Sequence, residues 1–198
     1  MEIFIYLIPF KGTIMGLPSK EEKVLELFFS ESSKHWHFEE IVKKTKMSRD
    51  KVNKWLNKFR EENIIKKVRH KGKMPYYIGY FDNPSYKNKK RIYTLNKFYK
   101  TGFLNHLMSL PKAKTVVIFG SFARADWYTD SDIDVFIYGN DDELEKGKYE
   151  RILKKEIQVF TVKNKNDLEK FAQGVLSNIL TGYVIKGNFD FARVMVNA

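Results

Sequence analysis

The stretch FGSFARADWYTDSDIDVFI, residues 119–137, decides the reading of this chain. The apolar run TVVIF, residues 115–119, runs into Gly120-Ser121. Its branched residues predict a short buried strand. Phe122 to Ala125 can begin a helix, and Ile133 to Tyr138 predicts a second strand, entered through Asp132 and Asp134. Side chains alternate along a strand, so these two aspartates share a face.

Two carboxylates side by side repel unless a cation lies between them. A divalent metal is the usual solution, and Mg²⁺ takes one or two carboxylates together with phosphate oxygens and water. Gly120 lets a phosphate come close to the backbone, and Ser121 offers a hydroxyl and an N–H at a helix start, where anions are favoured. The parts are those needed to grip a nucleoside triphosphate. Asp126 and Asp130 lie in the loop and read as structural.

The order Gly120-Ser121, about ten residues, then Asp132-Ile133-Asp134 resembles the signature of nucleotidyltransferases of the DNA polymerase β type. With Ala123-Arg124 and Ser131 it is similar to the minimal nucleotidyltransferases of archaea and bacteria, over residues 113–187. The resemblance implies that Gly120 and Ser121 bind triphosphate, with ATP the expected nucleotide. It implies that Asp132 and Asp134 hold Mg²⁺ or Mn²⁺, and that Arg124 reaches phosphate. Ala125 stands where that family often has glycine. The family usually adds a third carboxylate on a later strand. Here that strand is EIQVFTV, residues 156–162, and the aligned place falls on Gln158, which cannot act as a base. Glu156, two residues earlier on the same face, is the substitute candidate; the alternative is that the third carboxylate is lost. Some relatives nucleotidylate a helical partner toxin, so a protein acceptor is one expectation.

Charge divides the chain. It carries a net +12, with no cysteine to build a disulfide framework or thiolate metal site. Residues 1–110 hold 23 Lys/Arg against 11 Asp/Glu, while residues 111–198 hold 13 of each. The excess therefore lies in the first half, which points to a polyanionic partner for that half.

That half reads as three helices and a hairpin. Ser19 and Glu22 form a capping box before Val24, Leu25, Leu27 and Phe28. Phe38 to Lys44 makes a second helix. Ser48 is expected to cap a third, Arg49 to about Glu62, with Val52, Trp55, Leu56 and Phe59 inward. Residues 64–80 give two strands around Lys71-Gly72-Lys73. This order resembles a winged helix-turn-helix over residues 19–81. The candidate nucleic-acid contacts are Arg49, Lys51, Asn53, Lys54, Asn57 and Lys58 on the third helix, with Lys71 and Lys73 on the wing. DNA is the expected partner, RNA the second, and a protein-docking role the alternative.

Asn83-Pro84-Ser85 reads as a turn, followed by the basic run of residues 87–91, read either as an extension of the binding face or as a solvated linker. Tyr93 to Leu110 has a helical pattern that Gly102 interrupts. The expectation is thus an α+β chain: an N-terminal extension (1–18), a winged helix-turn-helix (19–81), a connector (82–112), and a nucleotidyltransferase-fold mixed sheet flanked by helices (113–198). No apolar stretch reaches the ~20 residues a membrane span needs. The apolar N-terminus lacks a basic start and a cleavage site, so a cytoplasmic protein is expected, with Met15 an alternative start to Met1. A homodimer is compatible with the pattern. Two functions follow: nucleotidyl transfer to a hydroxyl, or a DNA-binding regulator whose second half senses nucleotide without turning it over.

Overall fold

The computed structural model describes residues 18–190. The N-terminal extension before residue 18, and with it the choice between Met1 and Met15, lies outside them.

The capping box forms as the residue types dictate. The Ser19 hydroxyl accepts from the Glu22 N–H at 3.1 Å, and Glu22 Oε2 accepts from the Ser19 N–H at 2.8 Å. Helix α1 (Lys20–Ser30) then buries Val24, Leu25, Phe28 and Phe29. Helices α2 (Phe38–Thr45) and α3 (Arg49–Glu61) follow. Val52, Leu56 and Phe59 face inward from α3, while Trp55 is half-buried. Ser48 occupies the cap position of α3, but its side chain makes no capping hydrogen bond. Strands β1 (Ile65–Val68) and β2 (Tyr76–Gly79) form an antiparallel hairpin. Trp36, between α1 and α2, bridges to Tyr77 and so ties the hairpin to the helices.

The connector differs from its expected form. Pro84 is not in a free turn; Asn83 caps a helix by accepting from the Ser85 N–H at 2.8 Å, and α4 runs Pro84–Lys100. The helix begins nine residues before the apolar pattern that announced it. Its basic run is therefore helical, and one residue of it is inside the protein. Lys90 is 1% exposed. Gly102, at φ 77°, breaks the helix and α5 (Phe103–Ser109) follows.

The second half is a four-stranded sheet in the order β5-β4-β3-β6. Strands β3 (Ala113–Phe119) and β4 (Ile133–Gly139) are central and antiparallel. Strand β5 (Ile157–Val162) joins β4 in parallel after helix α7 (Lys146–Leu153). Strand β6 (Tyr183–Lys186) joins β3 at the other edge after a 3₁₀ turn (Lys165–Lys170) and α8 (Gln173–Leu180). Val116, Val117, Ile118, Val135, Phe136 and Ile137 are wholly buried. That burial on both faces explains why the two strands read as unbroken apolar runs rather than alternating ones. One continuous apolar cluster extends from Val24 of α1 to Ile157 of β5, so both halves share a core.

Candidate active site

The short helix α6 (Gly120–Arg124) starts directly at the end of β3. Gly120 sits at φ +69°, a conformation that disfavours any side chain. It also meets a neighbour. A Cβ built on Gly120 would stand 2.0 Å from Asp134 Oδ2. The register puts Asp134 opposite Phe119, so the carboxylate lies over the Gly120 turn. Ser121, next in the chain, is half-buried.

Asp132 immediately precedes β4, and Asp134 is its second residue. Both are half-exposed while Ile133 and Val135 are buried, so the aspartates share the accessible side. Burial pushes the Asp134 carboxyl up; the Asp132 carboxylate adds to this and the Arg124 guanidinium opposes it. Arg124 itself is exposed, donating from Nε to Asp126 Oδ2 at 2.9 Å. Ala125 takes the left-handed conformation at φ 63° where a glycine would be unstrained.

Strand β5 supplies the neighbour of the pair. Gln158 is in register with Asp134, and its Nε2 donates to Asp132 Oδ2 at 2.9 Å. Glu156 is exposed just ahead of β5. Its backbone carbonyl accepts from the Ile133 N–H at 2.9 Å, while its side chain lines a surface concavity with Lys146, Glu150 and Arg151. Among the described residues, no three His, Cys, Asp or Glu side chains converge in a way that could hold a metal. The aspartates are a pair, with the Gln158 amide held on Asp132.

Residues 104–188 match the family model described as Polymerase beta, Nucleotidyltransferase.

The match takes in β3, the Gly120-Ser121 turn, the aspartate pair and β5, and it supports a likeness to that superfamily over this segment. No curated protein and no solved structure matches the chain.

Three residues that hold this site were not singled out from the sequence. Lys90 Nζ donates to the Phe29 carbonyl at 2.8 Å and to the Trp127 carbonyl at 2.5 Å. Trp127 Nε1 donates to Thr94 Oγ1 at 3.0 Å, and its ring stacks on Phe122 at 5.2 Å. Lys155 donates to the carbonyls of Tyr128, at 2.6 Å, and Thr129. The loop joining the Gly-Ser turn to the aspartates is thus tied down by α1, α4 and the segment between α7 and β5. A signal for Lys90 existed: Tyr86, Lys90, Tyr93 and Thr94 fall at helical spacing on one buried face.

The nominated residues of α3 are divided. Arg49 pairs with Glu39 at 2.5 Å, and Lys58 lies between Glu21 at 3.4 Å and Glu62 at 3.6 Å. Asn57 accepts from Arg60 at 3.3 Å. Lys51, Asn53 and Lys54 are exposed, as are Lys71 and Lys73 at the hairpin tip.

No helix of the described residues is long and apolar enough to cross a membrane.

Proposed function

We propose that the protein is a nucleotidyltransferase that moves a nucleoside monophosphate from a nucleoside triphosphate to a hydroxyl of a protein or nucleic acid. Residues 19–81 act as its nucleic-acid-binding winged helix-turn-helix. The observation that carries the catalytic part is the juxtaposition of Gly120 and Asp134. Glycine adopts φ +69° without strain, and its lack of a Cβ leaves open the space beneath the half-buried Asp134 carboxylate, where a side chain would stand 2.0 Å from Oδ2. That opening suits phosphate and metal.

The donor set fits Mg²⁺ or Mn²⁺. Asp132 and Asp134 offer hard oxygen ligands from one face, and the raised proton affinity of Asp134 is what a cation would relieve. A bound ion would supply charge neutralisation at the reacting phosphate and a lower proton affinity for the attacking hydroxyl. Gly120 admits the phosphates to the backbone, and Ser121 donates to them. Arg124 adds positive charge at the mouth. The acceptor oxygen forms a bond to the α-phosphorus, the bond to the β-phosphate oxygen breaks, and pyrophosphate leaves. Glu156, just ahead of β5, is the carboxylate offered for the acceptor's proton, and it would have to turn from the concavity it lines beside Glu150 and Arg151 to reach the site. ATP is the nucleotide to try first.

The test is release of pyrophosphate with label from the α-phosphate retained on an acceptor. Asp132→Asn with Asp134→Asn should abolish it. Undiminished transfer in that double variant overturns the assignment.

A second reading has its own observation. Gln158, not a carboxylate, faces the aspartates, and its amide already occupies one Asp132 oxygen. This favours a DNA-binding regulator that holds nucleotide without turnover. Metal-dependent nucleotide binding with no transfer to any acceptor would support it.

The nucleic-acid part rests on the order of three helices and a hairpin, the Trp36–Tyr77 bridge, and the exposed basic side chains. Steep weakening of binding with salt is the expected signature.

A further inference from the structure

The hairpin carries a feature that the winged-helix pattern does not require. Three of the chain's four histidines gather around one tyrosine. The His35 ring stacks on Tyr76 with centroids 3.9 Å apart and planes at 16°. His70 lies at 6.2 Å from Tyr76, and His37 meets it edge-on at 6.5 Å. His37 is fixed in turn, its Nδ1 donating to the Pro75 carbonyl at 3.1 Å. These rings and Lys73 line a concavity floored by the hairpin, with Met74 73% exposed at its edge. A second concavity shares His70, Lys73 and Met74 and adds Arg69 and Lys71. No carboxylate lines either one.

Rings, a thioether and unopposed cations have different uses. The cations suit phosphates. The flat rings and Met74 suit the face of an unpaired base, which a base pair inside a duplex does not present. The backing is firm, because Trp36, between His35 and His37, pairs with Tyr77 through two 2.8 Å backbone hydrogen bonds. On α3, Arg49 and Lys58 are ion-paired and Lys51 and Lys54 are exposed, whereas Arg69, Lys71 and Lys73 flank the rings and enter no ion pair among the described residues.

We propose that this His35–Tyr76 ledge is a binding site for single-stranded nucleic acid, stacking a base on the rings while Arg69, Lys71 and Lys73 contact its phosphates. The proposal rests on the nucleic-acid reading of residues 19–81 and names the form of nucleic acid it takes.

The experiment is fluorescence anisotropy with labelled dT15 and with the same strand in a dT15·dA15 duplex, at low salt. The single strand should bind at least tenfold more tightly. His35→Ala combined with His70→Ala, both at exposed positions, should weaken dT15 binding about tenfold or more, the range of one lost stacking contact. Tyr76→Phe keeps the ring and should keep the affinity, which separates stacking from a collapsed hairpin. Ultraviolet cross-linking of dT15 should mark a peptide containing His35, His70 or Tyr76. Duplex binding as tight as single-strand binding, or adducts on α3 alone, overturns the ledge and leaves the winged-helix reading standing. Binding of neither probe removes that reading and the ledge with it.

Discussion

A Cβ on Gly120 would stand 2.0 Å from Asp134 Oδ2, so any side chain at that position requires the carboxylate to move. The glycine is doubly required, since its φ of +69° would cost any other residue roughly 1–2 kcal/mol on its own. Gly120→Ala must push Asp134 off its present position. We expect a lower thermal midpoint and loss of metal-dependent nucleotide binding. Thermal unfolding and calorimetry check the two separately, and full-affinity binding in this variant would contradict the geometry.

Asp134 carries a cost in stability. Burial, reinforced by Asp132, raises its carboxyl pKa in the folded protein above the ordinary 3.8. The folded state then binds more protons than the unfolded one through that acid window, so stability falls as pH rises across it. Asp134→Asn removes the penalty. The variant should melt higher than the wild type at neutral pH, with the difference shrinking as pH falls toward the ordinary value. It should also lose nucleotide binding. A lower melting point at neutral pH would mean that the carboxylate stabilises the fold instead.

Gln158 is the lever on the aspartate pair. Gln158→Glu replaces an amide donor, 2.9 Å from Asp132 Oδ2, with a third carboxylate. Like charges then crowd one face. The variant should be less stable without metal and should bind Mn²⁺ several-fold more tightly than the wild type, as measured by calorimetry. Unchanged stability and Mn²⁺ affinity would show that this side chain does not face the site.

Lys90 provides a pH signature for the join between the halves. Burial lowers its pKa from 10.5 to about 7, partly offset by Asp126. The unfolded chain therefore binds the extra proton between about pH 7 and 10.5, and the lysine's contribution to stability rises with pH across that window. The slope is at most about 1.4 kcal/mol per pH unit. Subtracting the stability of Lys90→Met from that of the wild type should isolate it. A flat difference between pH 7 and 10 would mean that the amine is solvated.

Much of this was legible in the residues. The capping box at Ser19, the α3 stripe and the two apolar strands around Gly120 and Asp134 each rest on local chemistry, and each element forms where that chemistry predicts. The charge of Lys90 suggests a solvated face, and its acceptors, Phe29 and Trp127, are distant in sequence; only its helical spacing with Tyr86, Tyr93 and Thr94 pointed inward. The start of α4 was hidden in the same way, because its first turns carry lysines. Gln158 was placed correctly opposite the pair by its strand pattern, but its hydrogen bond to Asp132 depends on the parallel register of β5 with β4. The histidine ledge required the hairpin to bring residues 35, 70 and 76 together.

The most direct test of the central claim is calorimetric titration of ATP into the protein with and without Mg²⁺, alongside Asp132→Asn. The site described here predicts binding that requires Mg²⁺ and is lost in the variant. Failure of all four nucleoside triphosphates to bind in the presence of Mg²⁺ would contradict it.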